Sequence, residues 1–193
     1  MAYEEQCAGK RWPCGEEQED REAAHGAAAE EWERGTDGRA KEAVRRAMRL
    51  LMSRDRSERE LLERLGREGF GPEETGTALE YVKSYGYVND RRYAENYVMS
   101  AGGKKSRATL RSFLLDKGIR EELIEEALTL AAGDESVLIR RLLLKRAGQP
   151  HKLEEKELRR LYGYLARRGF SSGDIRHALR DYQDEALSNF FAD

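Results

Sequence analysis

Three fifteen-residue stretches of this chain can be laid over one another without a gap. They are LGREGFGPEETGTAL (65–79), LLDKGIREELIEEAL (114–128) and LARRGFSSGDIRHAL (165–179). In each, a Leu is followed four residues later by Gly and five residues later by Phe or Ile, and the Leu of an Ala-Leu pair stands nine residues beyond. The copies begin 49 and 51 residues apart. The chain is therefore built from a repeated unit of about fifty residues, as repeat arrays are.

The shared Leu-x-x-x-Gly-Φ spacing, where Φ is apolar, predicts that each copy contains a helix end. A Gly just past a helix adopts the left-handed conformation that closes it, and the apolar residue after the Gly then packs back on the Leu of the last turn. We therefore place Gly69, Gly118 and Gly169 immediately after a helix, with a new helix following each of them.

Capping patterns and apolar stripes fill in the remaining helices. Ser57 with Glu60 resembles a capping box, Pro72 suits the first turn of a helix, and Asp90 is a candidate N-cap. Apolar residues recur at three- and four-residue spacings throughout, which is typical of amphipathic helices and not of strands. The predicted helices are 39–53, 57–68, 72–85, 90–101, 106–117, 121–132, 134–147, 153–168 and 172–184.

The predicted fold class is all-α, with three tandem three-helix repeats forming an elongated, curved array. Units of the tetratricopeptide, ankyrin, HEAT and armadillo classes are shorter than this one, so none of them fits. We expect an acidic, mostly disordered N-terminal extension at 1–38, followed by repeats at 39–88 and 89–133 and by a third repeat with a C-terminal tail at 134–193.

The charge of the chain is distributed unevenly. The formal net charge is −2, but residues 1–38 carry 11 acidic and 4 basic side chains, whereas residues 39–193 carry 31 basic and 26 acidic ones. The first segment has few large apolar residues and cannot offset its ordering entropy by burial. Our hypothesis for it is that its acidic groups screen the basic repeats and weaken nonspecific DNA binding.

Several function classes are excluded by residue type and spacing. Cys7, Cys14 and His25 lack the short paired spacing of a zinc site, and His151 and His177 have no nucleophile or carboxylate pattern around them that suggests catalysis. No phosphate-binding P-loop is present, and no apolar run is long enough to span a membrane. We expect no catalytic residue, no metal, no cofactor and a cytoplasmic location.

Basic residues are the candidates for binding. The densest basic stretch is 101–120, with a single acid, and a second group lies in the last copy; both can meet DNA phosphates or an acidic protein surface, or can be a solvated helix face. The candidates are Lys104, Lys105, Arg107, Arg111, Lys117, Arg120, Arg159, Arg160, Arg167 and Arg168.

Five tyrosines cluster around the first boundary between copies. They are Tyr81, Tyr85, Tyr87, Tyr93 and Tyr97, and several fall at helical spacing beside Val82 and Val98. Stacking on nucleic-acid bases is one role for such a cluster. Their spacing favours packing between the units instead.

Three segments of the chain resemble the RecX family of bacterial recombination regulators. They are RLLMSRDRSERELLERLGREGF (49–70), GYVNDRRYAENYV (86–98) and LLDKGIREELIEEAL (114–128). The resemblance covers about residues 40–193. It implies a non-catalytic regulator of the RecA recombinase in homologous recombination, DNA repair and the SOS response. Such a regulator acts as a monomer that binds the RecA filament, reaches single-stranded DNA through it, and lowers its ATPase, strand exchange and growth.

The repeat pattern by itself leaves two other readings open. A series of short helices can also be a DNA-binding module that acts on DNA directly, in the manner of helix-turn-helix units. It can equally be a helical scaffold for another protein. Of the three hypotheses, only the regulator of the RecA filament requires the recombinase for tight binding.

Overall fold

A computed structural model of the protein describes residues 37–131 and 134–190. Within these ranges the fold contains nine helices and no strand, which confirms the predicted all-α class. The helices are α1 Gly38–Ser53, α2 Glu58–Arg67, α3 Pro72–Ser84, α4 Asp90–Ala101, α5 Arg107–Asp116, α6 Glu121–Ala131, α7 Glu135–Ala147, α8 Glu155–Ala166 and α9 Ser172–Phe190.

The repeated Leu-x-x-x-Gly-Φ motif closes the second helix of each unit, as predicted. Gly69, Gly118 and Gly169 have φ of +90°, +78° and +81°. In the first copy the N–H of Phe70 donates to the carbonyl of Leu65 at 3.3 Å. The other two copies make the same six-to-one bond. This bond pattern is the Schellman motif, so the spacing alone predicted the helix end correctly.

Each unit of three helices has its own hydrophobic core, and we call the units repeat 1 (α1–α3), repeat 2 (α4–α6) and repeat 3 (α7–α9). Leu61 and Leu65 are fully buried in repeat 1, Leu110 and Leu114 in repeat 2. Leu165 lies equally deep in repeat 3. Helices pack mainly on helices of their own repeat. A chain with one core per unit is a tandem array and not a single globule.

Two details of the predicted helices were wrong. The last helix was expected to end at residue 184 but continues to Phe190, because no Gly or Pro stands after 184 to stop it. Asp90 was expected to cap α4, but Asn89 does so by accepting from the N–H of Arg92 at 3.0 Å. Asp90 instead caps a helix of repeat 1.

The acidic extension predicted at 1–38 lies almost wholly outside the described residues, as do Cys7, Cys14 and His25. Within the described part, Asp37 caps α1 by accepting from the N–H of Arg39. The repeat boundaries at 88/89 and 133/134 stay predictions.

Candidate functional site

A buried serine joins each repeat to the next one. Ser57, at the start of α2, donates its hydroxyl to the carbonyl of Lys117 at 2.7 Å, and Ser106, at the start of α5, donates to the carbonyl of Arg168 at 2.7 Å. Both serines also cap their own helices and are 0% and 1% exposed. In both cases the accepting carbonyl directly precedes a left-handed glycine of the next repeat.

Beside each serine, a carboxylate of the next repeat accepts a hydrogen bond from the backbone N–H of the residue that follows the serine. The backbone N–H of Glu58 donates to the Asp90 carboxylate at 3.0 Å, and the N–H of Arg107 donates to the Glu135 carboxylate at 2.8 Å. An acidic group at a helix start satisfies an unpaired N–H and complements the helix dipole. We call the contact between repeats 1 and 2 joint 1 and the contact between repeats 2 and 3 joint 2. The two joints have the same construction.

Joint 1 contains three cations that share one carboxylate of the joint itself. Arg54, Arg56 and Lys117 all form ion pairs with Glu60, and the Lys117 ammonium donates to its carboxylate at 2.9 Å. Partial burial raises the pKa of Glu60, but the hydrogen bond from Lys117 and the three positive charges outweigh it, so the pKa is lowered from its ordinary value. The carboxylate therefore stays charged and holds the three cations.

Joint 2 carries cations without such an acid. Thr109 stands where joint 1 has Glu60, three residues after the capping serine, and its hydroxyl also donates to the carbonyl of Arg168 at 3.0 Å. Lys104, Lys105, Arg167 and Arg168 surround a groove of about 170 Å³ here. All four are exposed, and none forms an ion pair with a carboxylate of the described residues. Joint 2 therefore carries a cluster of positive side chains that can bind phosphate or carboxylate groups.

Aromatic rings hold two of these cations in place. The Lys105 ammonium donates to the Tyr97 hydroxyl at 2.7 Å and lies 5.2 Å and 5.4 Å from the ring centres of Tyr97 and Phe113. The Arg168 guanidinium lies 4.8 Å from the ring centre of Tyr164. Such contacts fix the positions of the charges, and the Lys105 ammonium uses one of its three N–H donors on the Tyr97 hydroxyl.

The structure thus brings together four of the ten predicted binding residues, from parts of the sequence about sixty residues apart. Another four are engaged inside the chain. Arg111 pairs with two glutamates of α6, and Arg159 pairs with a glutamate one turn away. Arg107 donates to the carbonyl of Leu128 at 3.2 Å, and Lys117 belongs to joint 1. Arg120 and Arg160 are exposed, without an ion pair in the described part of the chain.

The sequence reading missed Arg54 and Arg56 as members of a repeated cationic arrangement. Their signal was present, because basic residues directly precede the capping serine in both copies, here Arg56 before Ser57 and Lys105 before Ser106. The overlaid stretches began at the Leu of the last helical turn and therefore excluded these positions.

Four of the tyrosines pack against the core of their own repeat, and Tyr93 also interacts electrostatically with Glu60 and Arg54 of repeat 1 across joint 1. Tyr81 and Tyr87 lie against the core of repeat 1, and Tyr93 and Tyr97 against the core of repeat 2. Tyr85 lies 4.7 Å from Tyr81 between ring centres. The predicted packing role is confirmed for four of the five, and packing between repeats stays a prediction.

The histidines form local pairs and not a catalytic constellation in the part of the chain that the structure describes. His177 pairs with Asp181 at 2.7 Å on the surface of α9. His151 lies 3.2 Å from Glu157 and 3.2 Å from the Tyr182 hydroxyl. The hydrogen bond to the carbonyl of Gln149, followed by the interaction with Glu157, raises the pKa of His151. Among the described residues, no cluster of acidic, histidine or cysteine side chains fits a metal ion.

Tandem three-helix units with separate cores, linked by polar joints, define a helical-repeat protein. Family models agree with this class and make it specific. The model of the first three-helix domain of RecX matches residues 43–81, that of the second domain matches 89–128, and that of the third matches 134–179.

Individual relatives give the same result. The chain is 38% identical over 136 residues to regulatory protein RecX of Trichlorobacter lovleyi, covering 67% of this chain and 88% of that protein. It is 35% identical over 160 residues to regulatory protein RecX of Amycolatopsis mediterranei, covering 77% and 89%. The chain belongs to the RecX family. This membership confirms the predicted class, a regulatory protein and not an enzyme.

Solved structures share the fold. The crystal structure of RecX from Lactobacillus salivarius superposes with a TM-score of 0.64 at 20% identity, covering 75% of this chain and 96% of that one. A second crystal structure of regulatory protein RecX also gives 0.64, at 23% identity, covering 89% and 80%. None of the helices in the described ranges is long and apolar enough to cross a membrane.

Proposed function

We propose that this protein binds the filament that a RecA recombinase forms on single-stranded DNA, and that it lowers the filament's ATP hydrolysis, strand exchange and growth. It acts as a cytoplasmic monomer without a cofactor, in homologous recombination, DNA repair and the SOS response. Membership of a family of regulatory proteins named RecX supports the regulatory role.

The observation that carries the proposed contact site is the unneutralised charge at joint 2. Lys104, Lys105, Arg167 and Arg168 converge there without a carboxylate partner among the described residues. Desolvating a charge is favourable only when a partner replaces water. A cationic groove therefore supports binding to phosphates or to carboxylates on a filament surface.

The tandem arrangement supports a polymer as the partner. A filament presents the same surface at regular intervals, and a row of repeats can contact more than one subunit at once. Linking several modest contacts raises the overall affinity without requiring any one of them to be tight. Arg120 and Arg160, which are exposed in repeats 2 and 3, are the next candidates for such contacts.

The test is ATP hydrolysis by a preformed RecA filament on single-stranded DNA, titrated with this protein at moderate salt. The variant K104E/R168E reverses one charge from each side of joint 2. R176E/R180E is the matched control, because it reverses the same number of charges at two exposed arginines. Arg176 and Arg180 lie one turn apart on α9 and form no ion pair in the described ranges. Circular dichroism verifies that both variants retain their helices.

The expected result is inhibition by the wild type at substoichiometric protein, a large loss of inhibition in K104E/R168E and little change in R176E/R180E. Equal loss in the two variants would assign the effect to net charge and contradict the proposed site. No inhibition by the wild type would contradict the proposed function itself.

Direct DNA binding is the second candidate, and the same four cations favour it. It predicts tight binding to single-stranded DNA without recombinase, with an affinity that falls steeply with salt. If K104E/R168E removes two phosphate contacts, the slope of log affinity against log salt becomes shallower by about 1.4. Binding to DNA alone that is as tight as binding to the filament would favour this candidate. A scaffold for another protein predicts neither result.

A further inference from the structure

Joint 1 and joint 2 have the same backbone frame, so each position in one can be compared with its equivalent in the other. The third residue after the capping serine is Glu60 in joint 1 and Thr109 in joint 2, and its N–H donates to the serine hydroxyl at 3.2 Å in both. The residue before the left-handed glycine is Lys117 in joint 1 and Arg168 in joint 2, and both carbonyls accept from the serine at 2.7 Å. The side chains at these positions therefore enter the two joints from equivalent points.

The cations before the two glycines are also held in the same way. The Lys117 ammonium lies 5.6 Å from the ring centre of Phe113, and the Arg168 guanidinium lies 4.8 Å from the ring centre of Tyr164. In both cases the ring belongs to the residue four positions earlier, about one helical turn away. The equivalence of the joints therefore extends from the backbone to the side chains.

In joint 1 the anion that the cations hold belongs to the chain itself. The Glu60 carboxylate accepts from the Lys117 ammonium of repeat 2 at 2.9 Å and pairs with Arg54 and Arg56 of its own repeat. The Glu60 side chain is only 15% exposed. Cations of both repeats thus replace most of the water around one carboxylate, which shows that a carboxylate fits between adjoining repeats.

Joint 2 keeps the basic positions of joint 1 but none of its acids. The three positions that are acidic in joint 1, each given with its equivalent in joint 2, are Asp55 and Lys104, Glu60 and Thr109, and Asp116 and Arg167. The two positions that are basic in joint 1 carry Lys105 and Arg168 in joint 2. At these five positions joint 1 has two cations and three acids, whereas joint 2 has four cations and no acid. Joint 2 therefore has the groups that receive a carboxylate, without the carboxylate.

We propose that joint 2 receives a carboxylate of its partner protein, from an Asp or Glu side chain, at the place that Glu60 fills in joint 1. Lys105 and Arg168 are the donors equivalent to those of joint 1, and Lys104 and Arg167 line the same groove. This inference rests on the proposed function, since the partner is the filament. It names protein carboxylates, and not nucleic-acid phosphates, as the chemistry recognised at joint 2.

The variant that tests this is Thr109→Glu in the full chain, which gives joint 2 the acid of joint 1. Thr109→Gln is its matched control, with the same side-chain length and no charge. Thr129→Glu makes the same substitution at an exposed position of α6 and controls for net charge. Two fluorescent probes are titrated at one ionic strength, a decaglutamate peptide for carboxylates and an oligothymidylate of similar charge for phosphates. Inhibition of the RecA filament is measured in parallel, and circular dichroism verifies that the helices are retained.

We expect the wild type to bind decaglutamate, and the affinity to fall about tenfold in T109E, since one charge-assisted contact is replaced by an internal one. T109Q and T129E should bind it as the wild type does. Inhibition of the filament should fall in T109E and persist in both controls.

Decaglutamate binding that is as tight in T109E as in T109Q overturns the proposal. An oligothymidylate that binds more tightly than decaglutamate, and that T109E weakens, also overturns it and assigns joint 2 to nucleic-acid phosphates. Filament inhibition that T109E retains while its decaglutamate binding falls overturns the assignment to the filament. If decaglutamate binding follows the expected pattern but the wild type does not inhibit the filament, the proposed function fails and the carboxylate site stands.

Discussion

Replacing Gly118 by Ala should destabilise the protein much more than replacing Gly69 by Ala, although the two glycines occupy the same place in the motif. Both follow the second helix of a repeat in the left-handed region, with φ of +78° and +90°. A Cβ at Gly69 would meet no atom of the described residues within 4 Å. A Cβ at Gly118 meets Arg59 of repeat 1, with its Cβ at 2.7 Å and its Cδ within overlap distance.

The magnitudes separate backbone strain from crowding at the joint. The left-handed conformation costs Ala about 1–2 kcal/mol, and the reduced entropy of the unfolded chain offsets roughly 0.4–1 kcal/mol of that. Gly69→Ala should therefore cost about 1 kcal/mol. Gly118→Ala adds overpacking of about 1–3 kcal/mol, because the Cβ of Arg59 is fixed to its helix and cannot swing away as the end of the side chain can.

Urea unfolding followed by circular dichroism measures both costs, since the signal reports helices in all three repeats. With an m-value of about 2 kcal/mol/M, the midpoint should fall by about 0.5 M for Gly69→Ala and by about 1–2 M for Gly118→Ala. A lower m-value in Gly118→Ala would show that the repeats no longer unfold together. Equal midpoints for the two variants would refute the reasoning, because the joint would then tolerate a side chain at this position.

Three further predictions concern polar groups. Ser57→Ala should cost about 1–3 kcal/mol in urea unfolding, since it removes a helix cap and leaves the Lys117 carbonyl without the serine hydroxyl that donates to it. Ser106→Ala should cost less, about 0.5–2 kcal/mol, because the Thr109 hydroxyl still donates to the Arg168 carbonyl. Losses well under these ranges would contradict the role of the serines in the joints. Glu60→Gln should lower the free energy of unfolding at neutral pH. The difference in this free energy between the variant and the wild type should shrink as pH falls through the lowered pKa of Glu60, because the wild type then loses its carboxylate charge as well. A difference that is independent of pH would contradict this role of the carboxylate. In an NMR titration the pKa of His151 should lie above its ordinary value, so that its stabilising contribution is lost as pH rises through that pKa, and Glu157→Gln should lower it.

The helical framework was largely predictable because its signals are local. The Gly118 motif and Pro72 mark helix boundaries through residues close together in sequence, and α3 begins at Pro72 as predicted. The function of Asp90 was not predictable, because its carboxylate accepts from Glu58, 32 residues away. Helix-capping patterns identify a group that can cap, but they do not identify which helix it meets.

The sequence named the four basic residues of joint 2 among its candidates, but it did not predict that residues of different repeats meet there. Lys104 and Arg168 belong to different repeats, and they meet because Ser106 ties one helix start to the end of another. Sequence spacing along a single helix carries no information on such a contact. The replacement of Glu60 by Thr109, which distinguishes the two joints in charge, becomes visible only when the copies are aligned from the serine.

The two ends of the repeat array differ from the surfaces that meet inside it. At the start of α8, Glu154 makes no side-chain capping hydrogen bond and no serine stands ready to donate. At the other end, a Cβ at Gly69 would meet no atom of the described residues within 4 Å. A second molecule approaching head to tail therefore finds no counterpart of the bond that holds neighbouring repeats together. The interior contacts are heterologous, the kind that can continue into open-ended polymers, and the described ends lack the serine-to-carbonyl bond through which a further unit would be added in the same way.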